Sequence, residues 1–176
     1  MKNRGRRTGR RTAAAMAATG LIMVMSAGLL TGCSDTKIVV TTGLASNELF
    51  RIGSETCKLS EALVYLCNEK NQYENVYGIE MWDHNVGDMT LEEYLKNQVV
   101  SQLSQVKSMV LLADEREIVL TDAEKQKAAE AAQEYFTSLS EEEVSALKVT
   151  QEEIQTMYED YCLADKAYEQ ITGDEA

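Results

Sequence analysis

The side chains able to do chemistry in this 176-residue chain are few and widely spaced. There are four thiols, Cys33, Cys57, Cys67 and Cys162, one imidazole, His84, and 29 carboxylates. A thiol can act as a nucleophile, ligate a metal, pair as a disulfide or accept a lipid, and spacing and compartment decide among these roles. No two of the four form a CxxC, and no second histidine stands near His84, so neither a zinc site nor a thiol–imidazole pair is expected. Beside Trp82 and Asp83, His84 reads as a loop or cap residue. GxSxG, HExxH, phosphate-loop and EF-hand patterns are all lacking. The carboxylates fall mainly at the starts of periodic segments and on solvated faces, where they complement helix dipoles. No catalytic residue, metal ligand or cofactor is assigned, and nothing in the residue pattern points to an enzyme.

Lipid attachment is the one chemistry with a supporting context. Six basic residues, Lys2, Arg4, Arg6, Arg7, Arg10 and Arg11, precede an apolar run from Ala13 to Leu30, and Leu29-Leu30-Thr31-Gly32-Cys33 stands at its end. Basic flank, apolar core and small residues in this order form a secretory signal. The pentapeptide resembles a bacterial lipobox, which implies acylation of the Cys33 thiol and cleavage just before it. Two or more chains, at about 0.8 kcal/mol per buried methylene, hold a protein on a membrane. The expected location is the extracytoplasmic face of the cell membrane, lipid-anchored. A retained spanning helix is the alternative, since the run approaches the roughly 20 residues needed to cross a bilayer. Both place the chain after Cys33 outside the cytoplasm.

Without residues 1–32 and their six cations, 11 basic residues face 29 acidic ones, a net charge of −18. Such a surface repels nucleic acid and anionic head groups, leaving proteins, peptides and small molecules as partners. In an exported chain the three later thiols could supply one disulfide, although small buried hydrophobes are the preferred reading.

The elements that must position everything else are mostly helices. Residues 33–47 read as a tether, with an extended piece at Lys37–Thr42 and loop from 44 to 48. Leu49–Ile52 and Thr56–Leu59, turning at Gly53, form a hairpin pattern with Phe50 and Ile52 on one face and Cys57 and Leu59 on the return. Ser60 then reads as an N-cap, with Leu59 and Val64 as a hydrophobic staple and Leu63, Leu66, Tyr73 and Tyr77 as the apolar stripe up to Gly78. Four capping boxes come after it: Thr90 with Glu93, Thr121 with Glu124, Ser140 with Glu143, and Thr150 with Glu153. They predict helices from Leu91 to about Glu115, Asp122 to about Leu139, a short one after Ser140, and Gln151 to Ile171. In the longest, Leu91, Leu95, Val99, Leu103, Val106, Val110 and Ala113 repeat at threes and fours, and its width calls for neighbours on several sides. The small residues Ala128, Ala131 and Ala132 prepare a close helix approach. The whole chain has no proline, and none of residues 88–172 is glycine. The fold class is mainly α with a small β-hairpin.

Several runs resemble the start of SurA/PrsA-type foldase lipoproteins of Gram-positive anaerobes. They are Phe50-Arg51-Ile52-Gly53-Ser54-Glu55, Leu59-Ser60-Glu61-Ala62-Leu63-Val64-Tyr65-Leu66, Asn71-Gln72-Tyr73-Glu74-Asn75-Val76-Tyr77-Gly78, Met81-Trp82-Asp83-His84 and Leu91-Glu92-Glu93-Tyr94-Leu95-Lys96. Val149-Thr150-Gln151-Glu152-Glu153-Ile154 and Met157-Tyr158-Glu159-Asp160-Tyr161 extend the likeness, which spans roughly residues 48–171 and includes no catalytic motif. The resemblance implies a helical chaperone domain of the SurA N-terminal or trigger-factor-like kind over 48–171. It also implies unfolded or partly folded exported proteins as partners, with residues 172–176 at the start of a linker towards a separate parvulin domain. A membrane-anchored chaperone or foldase module without its own isomerase site is the expectation. The alternatives are the front part of a full peptidyl-prolyl isomerase and a scaffold for one specific envelope partner. Val76, Tyr77, Met81 and Trp82, at a break between helices where a loop can present them, are the candidate client contacts.

Overall fold

Capping chemistry sets where the helices begin. The structure is a computed structural model and describes residues 44–173. The signal, Cys33, the Lys37–Thr42 piece and the last three residues lie outside the described residues. The fold is mainly α with a small antiparallel hairpin. Strands β1 (Glu48–Ile52) and β2 (Glu55–Lys58) pair antiparallel, with Phe50 opposite Cys57, Ile52 opposite Glu55 and an irregularity between Glu48 and Phe50. Gly53, at φ +58, takes the first place of the two-residue turn, where a side chain would be strained. A Cβ there would also meet Leu111 Cδ2 at 2.9 Å, so this glycine lets the turn sit on the long helix.

Helix α1 runs from Leu59 to Tyr77. Its start corrects the expectation for Ser60 and Leu59. Lys58 is the N-cap, its N–H donating to Glu61 Oε2 at 3.3 Å, and Ser60 is buried inside the first turn. Leu59 donates its N–H to the Asn47 carbonyl at 3.0 Å, so the ladder runs straight into the helix. There is no residue left over for a separate cap or staple, and the Leu59 side chain is exposed. The buried arc is Ser60, Glu61, Ala62, Val64 and Tyr65, while Leu63, Leu66 and Tyr73 are half-buried and Tyr77 is exposed. The first two turns have neighbours on several sides, the hairpin and the helices described below, whereas the second half of α1 loses cover.

Gly78, at φ +79, ends α1, and a 3₁₀ turn over Ile79–Asp83 comes next. A second hairpin, β3 (Asn85–Val86) and β4 (Met89–Thr90), turns at Gly87, at φ +64. It was not expected. Helix α2 (Leu91–Glu115) opens with a full capping box: Glu93 donates its N–H to Thr90 Oγ1 at 3.2 Å, and the Thr90 N–H donates to Glu93 Oε2 at 2.9 Å. All seven residues of its expected stripe are buried. The helix ends with Glu117 left-handed at φ +56, Ile118 donating to the Ala113 carbonyl and Glu117 to that of Asp114, the Schellman arrangement without its usual glycine.

Helices α3 (Asp122–Ser138), α4 (Glu141–Leu147) and α5 (Gln151–Gly173) complete the bundle. The boxes at Thr121, Ser140 and Thr150 form as expected. Helix α5 packs most extensively on α3 and α2. Ala128 and Ala132 of α3 and Ala164 and Ala167 of α5 are buried to 2% exposure or less, as the close approach requires. Lys166 pins this pair, donating to Glu124 at 2.8 Å and to the Val119 carbonyl at 3.0 Å. Lysine hydrogen bonding and the capping box together pull the Glu124 carboxyl down to about 2.

One charged cluster lies inside the core. Lys107 of α2, 4% exposed, meets Glu61 of α1 at 2.9 Å and Asp160 of α5 at 2.6 Å. Burial disfavours its charged ammonium form, but the two carboxylates outweigh that and raise its pKa. Burial raises the Glu61 carboxyl against the pull of Lys107. Replacing Lys107 by methionine leaves the buried Glu61 and half-buried Asp160 carboxylates uncompensated and is expected to cost about 3–5 kcal/mol at neutral pH. Because the folded-state pKa of Glu61 is raised, the folded state binds its proton more tightly than the unfolded chain does. The cost should therefore shrink as pH falls through that pKa. Urea unfolding of wild type and Lys107→Met at neutral and mildly acidic pH checks this; an equal loss at both contradicts the charge account.

Candidate functional site

The break between α1 and the 3₁₀ turn is where the bundle leaves apolar side chains uncovered. Val76 is 71% exposed, Tyr77 67% and Ile79 70%, three large apolar residues within one short stretch. Isolated exposed hydrophobes such as Leu59 and Val119 are ordinary, but a contiguous group is the usual mark of an interaction surface. Tyr73 and Tyr77, one turn apart, have ring centroids 6.1 Å apart, in the range of aromatic pairing. The Tyr73 hydroxyl is raised by burial and by the neighbouring Glu69, Tyr94 and Tyr77. Val86 and Met89 of the second hairpin are more weakly exposed, at 41% and 38%.

Two of the four expected contact residues stand on this surface, and two serve to hold it. Val76 and Tyr77 are exposed, whereas Met81 is buried at 8%. A five-residue 3₁₀ turn must bury one anchor to stay on the bundle, and Met81 is the residue it buries. Trp82 is half-buried and donates Nε1–H to Glu74 Oε1 at 2.8 Å, tying the turn back to α1 just ahead of Val76. Glu74 also accepts from Lys70 at 2.8 Å, and these two hydrogen bonds hold its carboxyl below the usual range. Ile79 was missed. Its signal was available, since a large apolar residue directly after a helix-stopping glycine sits outside any helical stripe.

The three thiols of the described residues are shielded. Cys57 is buried, Cys67 and Cys162 are half-buried, and all three are unpaired. Burial, with Glu61 adding to it, pushes the Cys57 thiol up to about 12, and burial raises the other two as well. All three are therefore held as neutral thiols, poor nucleophiles and poor metal ligands. His84 is an exposed loop residue that ends the 3₁₀ turn, its N–H donating to the Met81 carbonyl at 3.1 Å. Among the described residues no three His, Cys, Asp or Glu side chains are grouped to hold a metal, and no helix is long and apolar enough to cross a membrane.

Comparison with family models, with curated proteins and with solved structures found no match to this chain. Within the site, exposed and anchoring residues should separate cleanly in stability. Tyr77→Ser or Ile79→Ser is expected to change unfolding free energy by no more than about 0.5 kcal/mol. Met81→Ala should cost on the order of 2–5 kcal/mol, as for a buried large-to-small change. Chemical denaturation measures both, and equal costs would mean that Tyr77 and Ile79 are packed.

Proposed function

We propose that the protein is a membrane-anchored extracytoplasmic chaperone module that binds unfolded exported chains through the exposed end of α1. The observation that carries this reading is the uncovered Val76, Tyr77 and Ile79, grouped in one short stretch of the helical bundle. Such side chains can shield a client's apolar segment, and the negative charge of the chain keeps the resulting complex in solution. Tyrosine suits the task, giving a large apolar ring with a polar tip at low entropic cost. The lipobox-like residues at Cys33 support attachment to the membrane, and the likeness to SurA/PrsA-type foldase lipoproteins supports the client class. The activity proposed is binding.

The lipid-free chain from Ser34 is expected to slow the aggregation of an unrelated unfolded protein. Combining Val76→Ser, Tyr77→Ser and Ile79→Ser should remove most of that effect without loss of helix content. The same preparation should leave X-Pro isomerisation at its uncatalysed rate of tens to hundreds of seconds. Light scattering and a proline-peptide assay measure the two. Undiminished protection by the triple variant would move the binding surface elsewhere, and no protection by the parent would favour the scaffold for a single envelope partner.

A further inference from the structure

Half of the carboxylates along the exposed apolar stretch are not spent within the fold. From Asn71 to Tyr94 the chain has six acidic residues, Glu74, Glu80, Asp83, Asp88, Glu92 and Glu93, and no lysine or arginine. Three of them serve the structure. Glu74 holds Trp82 and Lys70, Glu92 pairs with Lys96, and Glu93 closes the α2 capping box. The side chains of Glu80, Asp83 and Asp88 are exposed and make no hydrogen bond or ion pair with any described residue.

Glu80 and Asp83 lie on the same short turn as Ile79, and Asp88 lies in the hairpin that comes after it. A Cβ on Gly78 would lie 2.9 Å from Glu80 Oε2, so this carboxylate rests over the glycine that separates Tyr77 from Ile79. Asp83 is four residues beyond Ile79, about 8 Å along a 3₁₀ rise. Asp88 sits in the turn between the partly exposed Val86 and Met89. The cation on the second half of α1, Lys70, is already paired with Glu74 at 2.8 Å. A ligand laid along Val76, Tyr77 and Ile79 would therefore meet apolar surface with uncompensated negative charge beside it.

From this we infer that the surface selects extended peptide segments whose apolar or aromatic side chains are flanked by lysine or arginine. The inference rests on the chaperone reading of the same surface and adds the class of segment it prefers. The apolar side chains supply contact, and the flanking cations supply selectivity and faster encounter. Acid-flanked segments of equal hydropathy bring like charges beside Glu80 and Asp83 and bind more weakly.

The test uses fluorescence anisotropy with two labelled peptides sharing one apolar core, one flanked by lysines and the other by glutamates. At low salt the lysine-flanked peptide should bind about tenfold more tightly, and the difference should fall to within about twofold near 1 M salt, where the screening length is only about 3 Å. Combining Glu80→Gln, Asp83→Asn and Asp88→Asn should bring the two affinities to within about twofold at low salt, with the circular dichroism unchanged. Equal affinity for both peptides on the parent protein at low salt overturns the charge preference and leaves the chaperone reading standing. If neither peptide binds while aggregation is still slowed, this surface is not where segments dock and the inference falls alone. If neither binds and aggregation is unaffected, both fall together.

Discussion

One buried ammonium fixes the geometry on which the exposed surface depends. Lys107 of α2 reaches Glu61 of α1 and Asp160 of α5 at 2.9 and 2.6 Å, so three helices share a single cation inside the core. Desolvation of three charges consumes much of the Coulombic gain, and such a cluster adds little net stability over a hydrophobic replacement. Its effect is on arrangement. The cluster works only if the first turn of α1 lies between α2 and α5, and any other placement leaves charge buried and unpaired. With that turn held, and with Lys58 joined to Glu153 at 2.8 Å where β2 meets α5, the remainder of α1 has one direction to run. It runs out past the cover of its neighbours, carrying Val76 and Tyr77 into solvent.

How much of this could be read beforehand depended on the range of the interaction. Capping boxes are local, four residues long, and all four form where the sequence places them. The α2 stripe was equally legible, because a central helix with neighbours on several sides buries a wide and regular face. The start of α1 was not. Ser60 has the chemistry of a cap, but the strand ladder runs through Leu59, and tertiary context leaves the serine inside. Lys107, Glu61 and Asp160 look like solvated helix charges in sequence, and only the meeting of three distant segments makes them a core element.

The same contrast holds within the site. Val76 and Tyr77 could be placed because a helix ending at glycine leaves its last side chains without a further turn to cover them. Met81 could not, since a 3₁₀ turn has too few residues to show a periodicity that would separate anchor from exposed face. The second hairpin carried a signal in Gly87-Asp88, a turn pair between two short runs, but strands of two residues offer no alternation to support it. Burial at Met81 and exposure at Ile79 are set by the same short turn, and neither follows from a helical or strand period.

The central claim is that the helical bundle offers clients a surface at the end of α1. Amide NMR of the isotopically labelled, lipid-free chain, titrated with a permanently unfolded protein, tests it most directly. The account predicts shift changes and broadening concentrated between Tyr73 and Met89, with the amides of Leu103, Lys107 and Ile154 unmoved because the charged cluster holds them in place. Changes centred on α3 or the outer face of α5, with residues 73–89 unaffected, would contradict it.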